Sequence, residues 1–486
     1  MKDNAVLSQG SYKKTVFFEI SLYALIVFET VFLTAAALSR DYTALIAVGG
    51  SLLLAGVYAL YAYSQKYNLT IAFPGRMAGL LIFAGILTRL ALAAGILGYT
   101  SDIECFVGWS RIAYAFGLDH FYTSGYFADY PPLYMYVLYL LGMLQSVFAI
   151  SANVFLIKLP AIACDIVLAL IFYRAARKRM DTAQSILVYI CMILNAALIV
   201  NSSAWGQIDI IFVLLAVLCI YLLLKERYAP AVVIFVLAVL LKVQAVLIAP
   251  IFLYILVWGI INKKTRKKTA IGFLSGIGAG AAAGLLLILP YTGGRPLSWI
   301  ADLYLNSLGG YSYVSINAFN LYGLLGLNWA PLSATFLGLP FNVWGYIGIA
   351  SVCVYAAWLY RMDPRGANLF NIAAFITMGV YMFAHSMHER YSFAAPVFLL
   401  AAFIFMQEKK LFYASLMTSA TVLINQCVAF AFYDKLIPYE IMAWLSAFNM
   451  AAFIYMAAVI TKNSAQYHKN TKSIRLVANE KQESST

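Results

Sequence analysis

The chain has 486 residues, of which 63% are hydrophobic and only 11% charged. Soluble domains run nearer to about half apolar and about a quarter charged, so composition excludes an ordinary soluble enzyme and points to a polytopic membrane protein. The net charge of +13 could suggest nucleic acid, but the Lys and Arg residues cluster in short loops between apolar runs, the footprint of the positive-inside rule; no nucleic-acid partner is expected.

Residues 1–15 are polar and basic (Lys2, Lys13, Lys14) and read as a cytoplasmic tail. The first apolar run, 16–38, lacks a small-residue cleavage pattern and is long enough to span, so it reads as a span rather than a removed signal. A second span covers 43–64, with Arg40-Asp41 in an external turn. A third, 76–98, follows cytoplasmic Lys66 and Arg76.

A polar, aromatic-rich stretch at about 99–157 comes next and reads as a large external loop. It carries Ser101-Asp102-Ile103-Glu104, Trp109 and Asp129-Tyr130-Pro131-Pro132-Leu133. The apolar piece 132–149 inside it is expected to be an interfacial or re-entrant helix. Counting it as a span would put Arg174, Arg177, Lys178 and Arg179 outside, against the charge rule. Irregular backbone at membrane depth is tolerated only against protein or water, which implies a cavity there.

Spans follow at 155–174 and 183–200, the second ending in Asn201-Ser202-Ser203-Ala204-Trp205-Gly206-Gln207-Ile208-Asp209, and then at 210–224. The run 230–261 reads as a close helical hairpin interrupted by Lys242, Gln244 and Pro250. It ends in Lys263, Lys264, Arg266, Lys267 and Lys268, the strongest cytoplasmic marker. A span at 269–290 leads to a second external loop, about 291–341, which is rich in Gly, Pro, Asn and Tyr and includes Asn317-Ala318-Phe319-Asn320-Leu321-Tyr322. Spans at 342–360, 368–386, 392–407, 411–432 and 439–461 complete an all-α bundle. The charged tail, 462–486, is expected to be disordered. The sum is a transmembrane domain over 16–461 with about 14 spans of roughly 20 residues each and both ends cytoplasmic. Both long loops are then external, so the chemistry is expected to face outward.

Six cysteines (Cys105, Cys164, Cys191, Cys219, Cys353, Cys427) stand singly. With no Cys-x-x-Cys, neither a disulfide framework nor a metal site is suggested. The chemistry-bearing candidates are ionisable groups near lipid, which are costly unless paired or facing water. Moving a sugar onto an alcohol needs a base for the hydroxyl proton and donors or positive charge for the departing phosphate. Asp102 and Glu104 supply carboxylates; Lys242, His388 and Arg390 supply donors or charge on the same expected face. Each also has a plainer reading. The two carboxylates could be a solvated helix end, and Asp129-Tyr130-Pro131-Pro132 a turn that starts a helix. Lys242 could snorkel. Gln207 and Asp209 could form a hydrogen-bonded helix start, and Met387-His388-Glu389-Arg390-Tyr391 an interfacial anchor. Asp165 reads as structural, paired with a nearby base or hydroxyl. Arg89 is expected to snorkel or to pair with a carboxylate of the first loop. Glu19 and Glu29 have no assigned role.

Taken in order, these features resemble the GT-C superfamily of polyprenyl-phosphate-sugar-dependent glycosyltransferases. The likeness is above all to bacterial relatives of the GPI-anchor mannosyltransferases, with the dolichyl-phosphate-glucose-dependent glucosyltransferases of N-glycan assembly also similar. It is carried by Asp102-x-Glu104 with Trp109, by Asp129-Tyr130-Pro131-Pro132-Leu133, by the turn from Trp205 to Asp209, by Lys242-x-Gln244 and by His388-Glu389-Arg390, over about residues 76–430. The resemblance implies a GT-C-like fold and inverting transfer of a hexose, expected to be mannose. The donor would be a polyprenyl-phosphate sugar and the acceptor a hydroxyl of a glycan, lipid or protein. It implies Asp102 as general base, with Glu104, Asp129 and Asp209 orienting sugar or acceptor. His388 and Arg390, with Lys242, would serve the lipid-phosphate leaving group, and Trp109, Tyr130, Gln207, Gln244 and Glu389 would complete the substrate-binding set. Two cations suffice for a monophosphate, so no metal or cofactor is expected. Arg390 and Tyr391 after the His-Glu pair depart from the family pattern and leave sugar and acceptor open. The expected location is a bacterial plasma membrane with the site outward. The competing class is a lipid-linked sugar flippase or small-solute transporter, which inverted repeats and broken helices at mid-membrane would mark.

Overall fold

The computed structural model describes residues 9–150 and 153–483. Its helices run, in chain order, α1 Gln9–Ala36, α2 Tyr42–Tyr67, α3 Pro74–Gly95, α4 Thr100–Phe116, α5 Pro132–Val147, α6 Val154–Arg177, α7 Thr182–Ile193 and α8 Ala196–Ile199. They continue as α9 Asp209–Leu224, α10 Tyr228–Leu241, α11 Ala249–Ile261, α12 Arg266–Ile288, α13 Trp299–Gly309 and α14 Leu321–Leu324. The last are α15 Phe341–Met362, α16 Leu369–Phe383, α17 Ala394–Met406, α18 Lys409–Ala431 and α19 Tyr439–Glu483. Four two-residue strands, β1 Ser315–Ile316, β2 Thr335–Phe336, β3 Leu339–Pro340 and β4 Met387–His388, are the only sheet among the described residues.

Among the described residues, eleven helical segments are long and apolar enough to cross a membrane, and α5, α9, α10 and α17 are shorter apolar helices. The chain is therefore an all-α, multi-pass membrane protein. A helix rises about 1.5 Å per residue against a hydrocarbon layer about 30 Å thick. The 16 residues of α9, 14 of α10 and 13 of α17 fall short of that as single straight helices. The expected spans thus resolve into eleven full-length segments plus these three, while α5 is the helix expected at the interface.

The chain forms two compact units. The first takes the described residues up to Gly117, then Val137–Leu214 and Ser419–Ile437. The second takes Leu118–Tyr136, Leu215–Thr418 and the described residues from Pro438 onward.

In the first unit α1, α2 and α3 pack on one another, and α3 packs on α6 and α7. Small residues let these backbones approach, as is usual in lipid: a Cβ on Gly85 would lie 2.4 Å from Ile193, and one on Gly142 of α5 would lie 2.1 Å from the Ser110 carbonyl of α4. The stretch expected as loop from residue 99 is in fact helix α4. Its buried positions Ile103, Phe106, Trp109, Ser110, Ile112 and Ala113 recur every three or four residues, the period of a helix with one apolar stripe. α7 ends at Ile193, and Asn195 starts the next helix by accepting from the Ala197 N–H at 3.0 Å. α8 then runs directly into a π-helical turn, Val200–Trp205.

In the second unit α10 does not simply fold back on α11. It lies along α12, where Gly276 and Gly280 face Val232 and Val236 closely enough that a Cβ would crowd them. α10 stops at Leu241 because Lys242 takes an extended conformation (φ −154°, ψ 133°), and a 3-10 turn, Val243–Ile248, leads into α11. The expected second loop holds α13, α14 and a small core of Val314, Tyr322 and Phe341. β1 and β4 pair in parallel, Ser315 with Met387 and Ile316 with His388. The tail expected to be disordered from Lys462 continues α19 to Glu483. No Gly or Pro occurs between 462 and 483 to stop it, and the Arg365 guanidinium lies 4.0 Å over the Tyr467 ring. At the other end α1 already begins at Gln9, inside the expected tail 1–15, whose residues 1–8 lie outside the described ones.

Candidate functional site

A polar centre made of residues singled out from the sequence lies in each unit. That of the first unit is built on Asp102, in the first turn of α4, where the helix dipole favours a carboxylate. Trp205 Nε1 donates to Asp102 Oδ2 at 2.6 Å, and Gln207 Nε2 donates to the same oxygen at 2.7 Å. Two donors on one oxygen fix the plane of the carboxylate.

Both donors sit where the π-helical turn ends. The indole of Trp205 is fully buried. It stacks face to face on Tyr99 at 4.1 Å and meets the edge of Phe430 at 5.3 Å, while the Trp205 carbonyl accepts from the Tyr99 N–H at 3.0 Å. The turn closes through Gly206, whose φ of +89° suits glycine. Its N–H and that of Gln207 both donate to the Asn201 carbonyl, at 3.2 and 2.8 Å. The Asn201 side chain donates to Asp209 at 2.8 Å. Asp209 is thus joined to the Asp102 group through Asn201.

Behind the turn lie three buried ionisable side chains. Arg89 of α3 pairs with Asp165 of α6 at 3.0 Å, both fully buried. Arg89 also donates to the Ile193 carbonyl at 2.6 Å, and Ser202 donates to Asp165 at 2.5 Å. Lys158 of α6 donates to the carbonyls of Ile96 and Ala204, at 2.6 and 3.2 Å. The expectation that Arg89 snorkels or meets a carboxylate of the first loop is therefore corrected: its partner is Asp165, which sits at helix depth as Arg89 does.

The centre of the second unit gathers Asp129, Tyr130, Lys242, Tyr311, His388, Glu389, Arg390 and Tyr391. The Lys242 ammonium lies 5.3 Å over the Tyr130 ring. Arg390 Nη1 donates to Glu389 at 2.6 Å, with both residues buried. The His388 ring meets Tyr311 at 4.4 Å and Tyr391 at 5.0 Å. Burial, then the nearby charges of Arg390 and Lys242, push the His388 pKa well below 6.5, so the imidazole is neutral. Its 3.8 Å approach to Glu389 is accordingly no ion pair and too long for a hydrogen bond. His388 Nε2 is buried without a hydrogen-bond partner among the described residues. Burial, with smaller contributions that include Glu389 and Asp129, raises Tyr391 far above the usual phenol range. The backbone here is held in an uncommon form: Ser386 (φ +58°) and Asn317 (φ +53°) are non-glycine residues in the left-handed region. Ser386 Oγ donates to the Tyr313 carbonyl at 3.0 Å, and Asn317 accepts from Asn328 and Trp329, each at 3.0 Å.

The residues singled out from sequence divide accordingly. Asp102 and Gln207 bond directly, and Asp209 joins them through one residue. Glu104 does not share the Asp102 group; it is exposed, because two residues along a helix turn a side chain about 200° away. Trp109 is buried in α4 and packs edge-on against Phe106 at 5.6 Å, as a packing residue does. Gln244 is half-buried in the 3-10 turn after Lys242. Glu19 accepts from the Ala72 N–H at 2.7 Å, while the Glu29 carboxyl is fully buried with no partner for either oxygen.

No family model matches the chain, and no curated protein matches it.

Trp205, Asn201, Tyr311 and Tyr391 were not anticipated as members of either centre. Trp205 and Asn201 stood inside the polar turn that sequence had marked, so proximity to Gln207 and Asp209 was the available signal. Among the described residues no group of three or more His, Cys, Asp or Glu side chains could hold a metal ion.

Proposed function

We propose that this protein is a membrane-embedded inverting glycosyltransferase. It moves a hexose, mannose in the first instance, from a polyprenyl-phosphate carrier to an acceptor hydroxyl on the outer face of a bacterial plasma membrane. The observation that carries the reading is the Asp102 carboxylate, half-buried at a helix start and held by two neutral N–H donors on one oxygen. Trp205 and Gln207 orient this carboxylate, as a base must be oriented toward the proton it takes.

In the reaction, the acceptor oxygen attacks the anomeric carbon as its proton passes to Asp102. The bond from that carbon to the phosphate oxygen breaks, and its electron pair leaves with the lipid monophosphate. Cations and a hydrogen-bond donor suited to a phosphate stand in the second unit: Lys242, Arg390 and the Nε2 of His388. The neutral imidazole acts there as a hydrogen-bond donor rather than a cation, and Arg390 shares its charge with Glu389. An apolar groove of about 540 Å³ supports a lipid-linked donor. It is lined by Phe235, Val236, Val239, Leu240, Ile300 and Tyr304, and it runs along the last turns of α10, which end at Lys242.

One observation favours a second reading, a lipid-linked sugar flippase or small-solute transporter. Two apolar helical runs are interrupted, at the π-helical turn Val200–Trp205 and at Lys242, and broken helices are what transporters use to hold substrates. The two readings separate in one experiment. Purified protein in lipid vesicles is offered labelled polyprenyl-phosphate mannose with acceptor lipid extract, and in parallel is assayed for uptake of free or lipid-linked sugar. Transfer that is lost in Asp102→Asn, with folding unchanged, supports the enzyme. Translocation without transfer replaces it with the transporter.

A further inference from the structure

Two segments build the Asp102 group: the lead into α4, which carries Asp102, and the π-helical turn, which carries Trp205 and Gln207. One lysine touches the turn and the end of α3, from which the lead into α4 departs. Lys158 Nζ donates to the carbonyl of Ile96, which precedes the lead into α4, and to the carbonyl of Ala204, inside the turn. It is fully buried. An ammonium at such depth is costly, and two backbone carbonyls could have been covered by apolar packing and ordinary helix bonds. Seven residues along α6, on the same face because seven residues make about two turns, Asp165 accepts from Ser202 near the start of that turn. Asp165 is itself fixed by Arg89.

A π-helical turn is rare and is found mainly as a single-turn bulge at functional sites. Its wide ring has no strong preference of its own, so neighbours must impose its shape. Here α6 grips it at Ser202 and at Ala204, and the residue after the second grip is Trp205.

We propose that Lys158, Asp165 and Ser202 are positioning residues for Asp102: from two levels of α6 they hold the π-helical turn so that Trp205 and Gln207 bond the carboxylate. The proposal rests on the reading of Asp102 as the base, but it makes a structural claim that can be tested without sugar transfer. Loss of either grip lets the turn relax toward an ordinary α-helix, which rotates Trp205 and withdraws its N–H from Asp102.

The test uses the full-length protein in detergent or nanodiscs, with its eight tryptophans replaced by 5-fluorotryptophan. The fluorine resonance of Trp205 is assigned by its absence in Trp205→Phe, and its displacement in Asp102→Ala, which leaves no side-chain acceptor, marks loss of the indole hydrogen bond. Lys158→Met and Ser202→Ala are expected to displace the Trp205 resonance in the same direction while leaving distant tryptophans in place. Ser202→Thr, which keeps the hydroxyl, is expected to restore it. In the transfer assay, Ser202→Ala lowers kcat by about 10- to 100-fold, the scale of a misplacement of about 1 Å, with the donor KM within about twofold. A Trp205 resonance unmoved in Ser202→Ala overturns the proposal, and this variant carries the test if Lys158→Met does not fold. A displaced resonance in a protein that transfers no sugar leaves the positioning claim standing and removes only the glycosyltransferase reading.

Discussion

The indole N–H of Trp205 meets the carboxylate of Asp102 at 2.6 Å, although the two residues are 103 positions apart in the chain. The ring stacks on Tyr99 and meets Phe430 edge to face, contacts that a smaller aromatic ring keeps in part once the hydrogen bond is removed. Trp205→Phe is expected to reduce transfer about tenfold or more, since a hydrogen bond to a charged group contributes about 1.5–3 kcal/mol. Asp102→Asn is expected to abolish transfer. Single-turnover kinetics on both variants check this, with size-exclusion profiles to confirm folding.

Gly206 stands where a side chain cannot. A Cβ there would lie 2.3 Å from Ile103 Cδ1, and its φ is +89°. Gly206→Ala is expected to destabilise the protein by about 1–3 kcal/mol, the range for a strained backbone position. Ile103→Ala relieves the clash but leaves a cavity that itself costs about 2–5 kcal/mol, so the double variant should be less destabilised than the sum of the two single ones, while the backbone strain remains. Thermal unfolding in detergent measures both.

The Arg89–Asp165 pair is fully buried on both sides. Removing one partner leaves an uncompensated charge, which typically costs about 3–5 kcal/mol. Arg89→Leu and Asp165→Leu should each lower the unfolding temperature sharply, whereas the double variant should be less damaged than either single one. A double variant as unstable as the sum of the two singles would show that the residues act separately.

His388 is held neutral, its pKa pushed well below 6.5 by burial and by Arg390 and Lys242. Unfolded chains protonate histidine near about 6.5, so in the window below that value and above the folded pKa the unfolded state binds more protons. Stability must therefore fall as pH drops through about 6.5 and be fully present above it. His388→Gln should flatten that slope below about pH 6.5. Unfolding temperatures across this range, for both proteins, provide the measurement.

Much of the architecture was legible in hydropathy. Runs such as 43–64 and 342–360 became α2 and α15. The interruption at Lys242 marked a real break, because an ammonium set among Leu240, Leu241 and Val243 is costly to carry through an unbroken apolar helix. What escaped was phase and distance. Residues 100–116 read as loop because their polar content hid the stripe from Ile103 to Ala113. On the helix that stripe implies, Asp102 and Glu104 point apart. Arg89 and Asp165 meet across 76 positions, and no spacing rule reports such a pair. The π-helical turn left only a weak trace, Asn201-Ser202-Ser203, since its geometry comes from the side chains of α6 rather than from its own sequence. The tail misled through composition: charged and polar residues suggested disorder, yet Ala, Gln, Lys and Glu are good helix formers once a helix is already running.

That last helix reaches far. At about 1.5 Å per residue, the 45 residues of α19 extend for about 67 Å, roughly double the oily layer of a bilayer. Its first half is enough to cross; the rest forms a rod rooted where Arg365 grips Tyr467. A fluorophore attached at the end of this helix would ride at the tip of a lever and magnify small rotations of the helix.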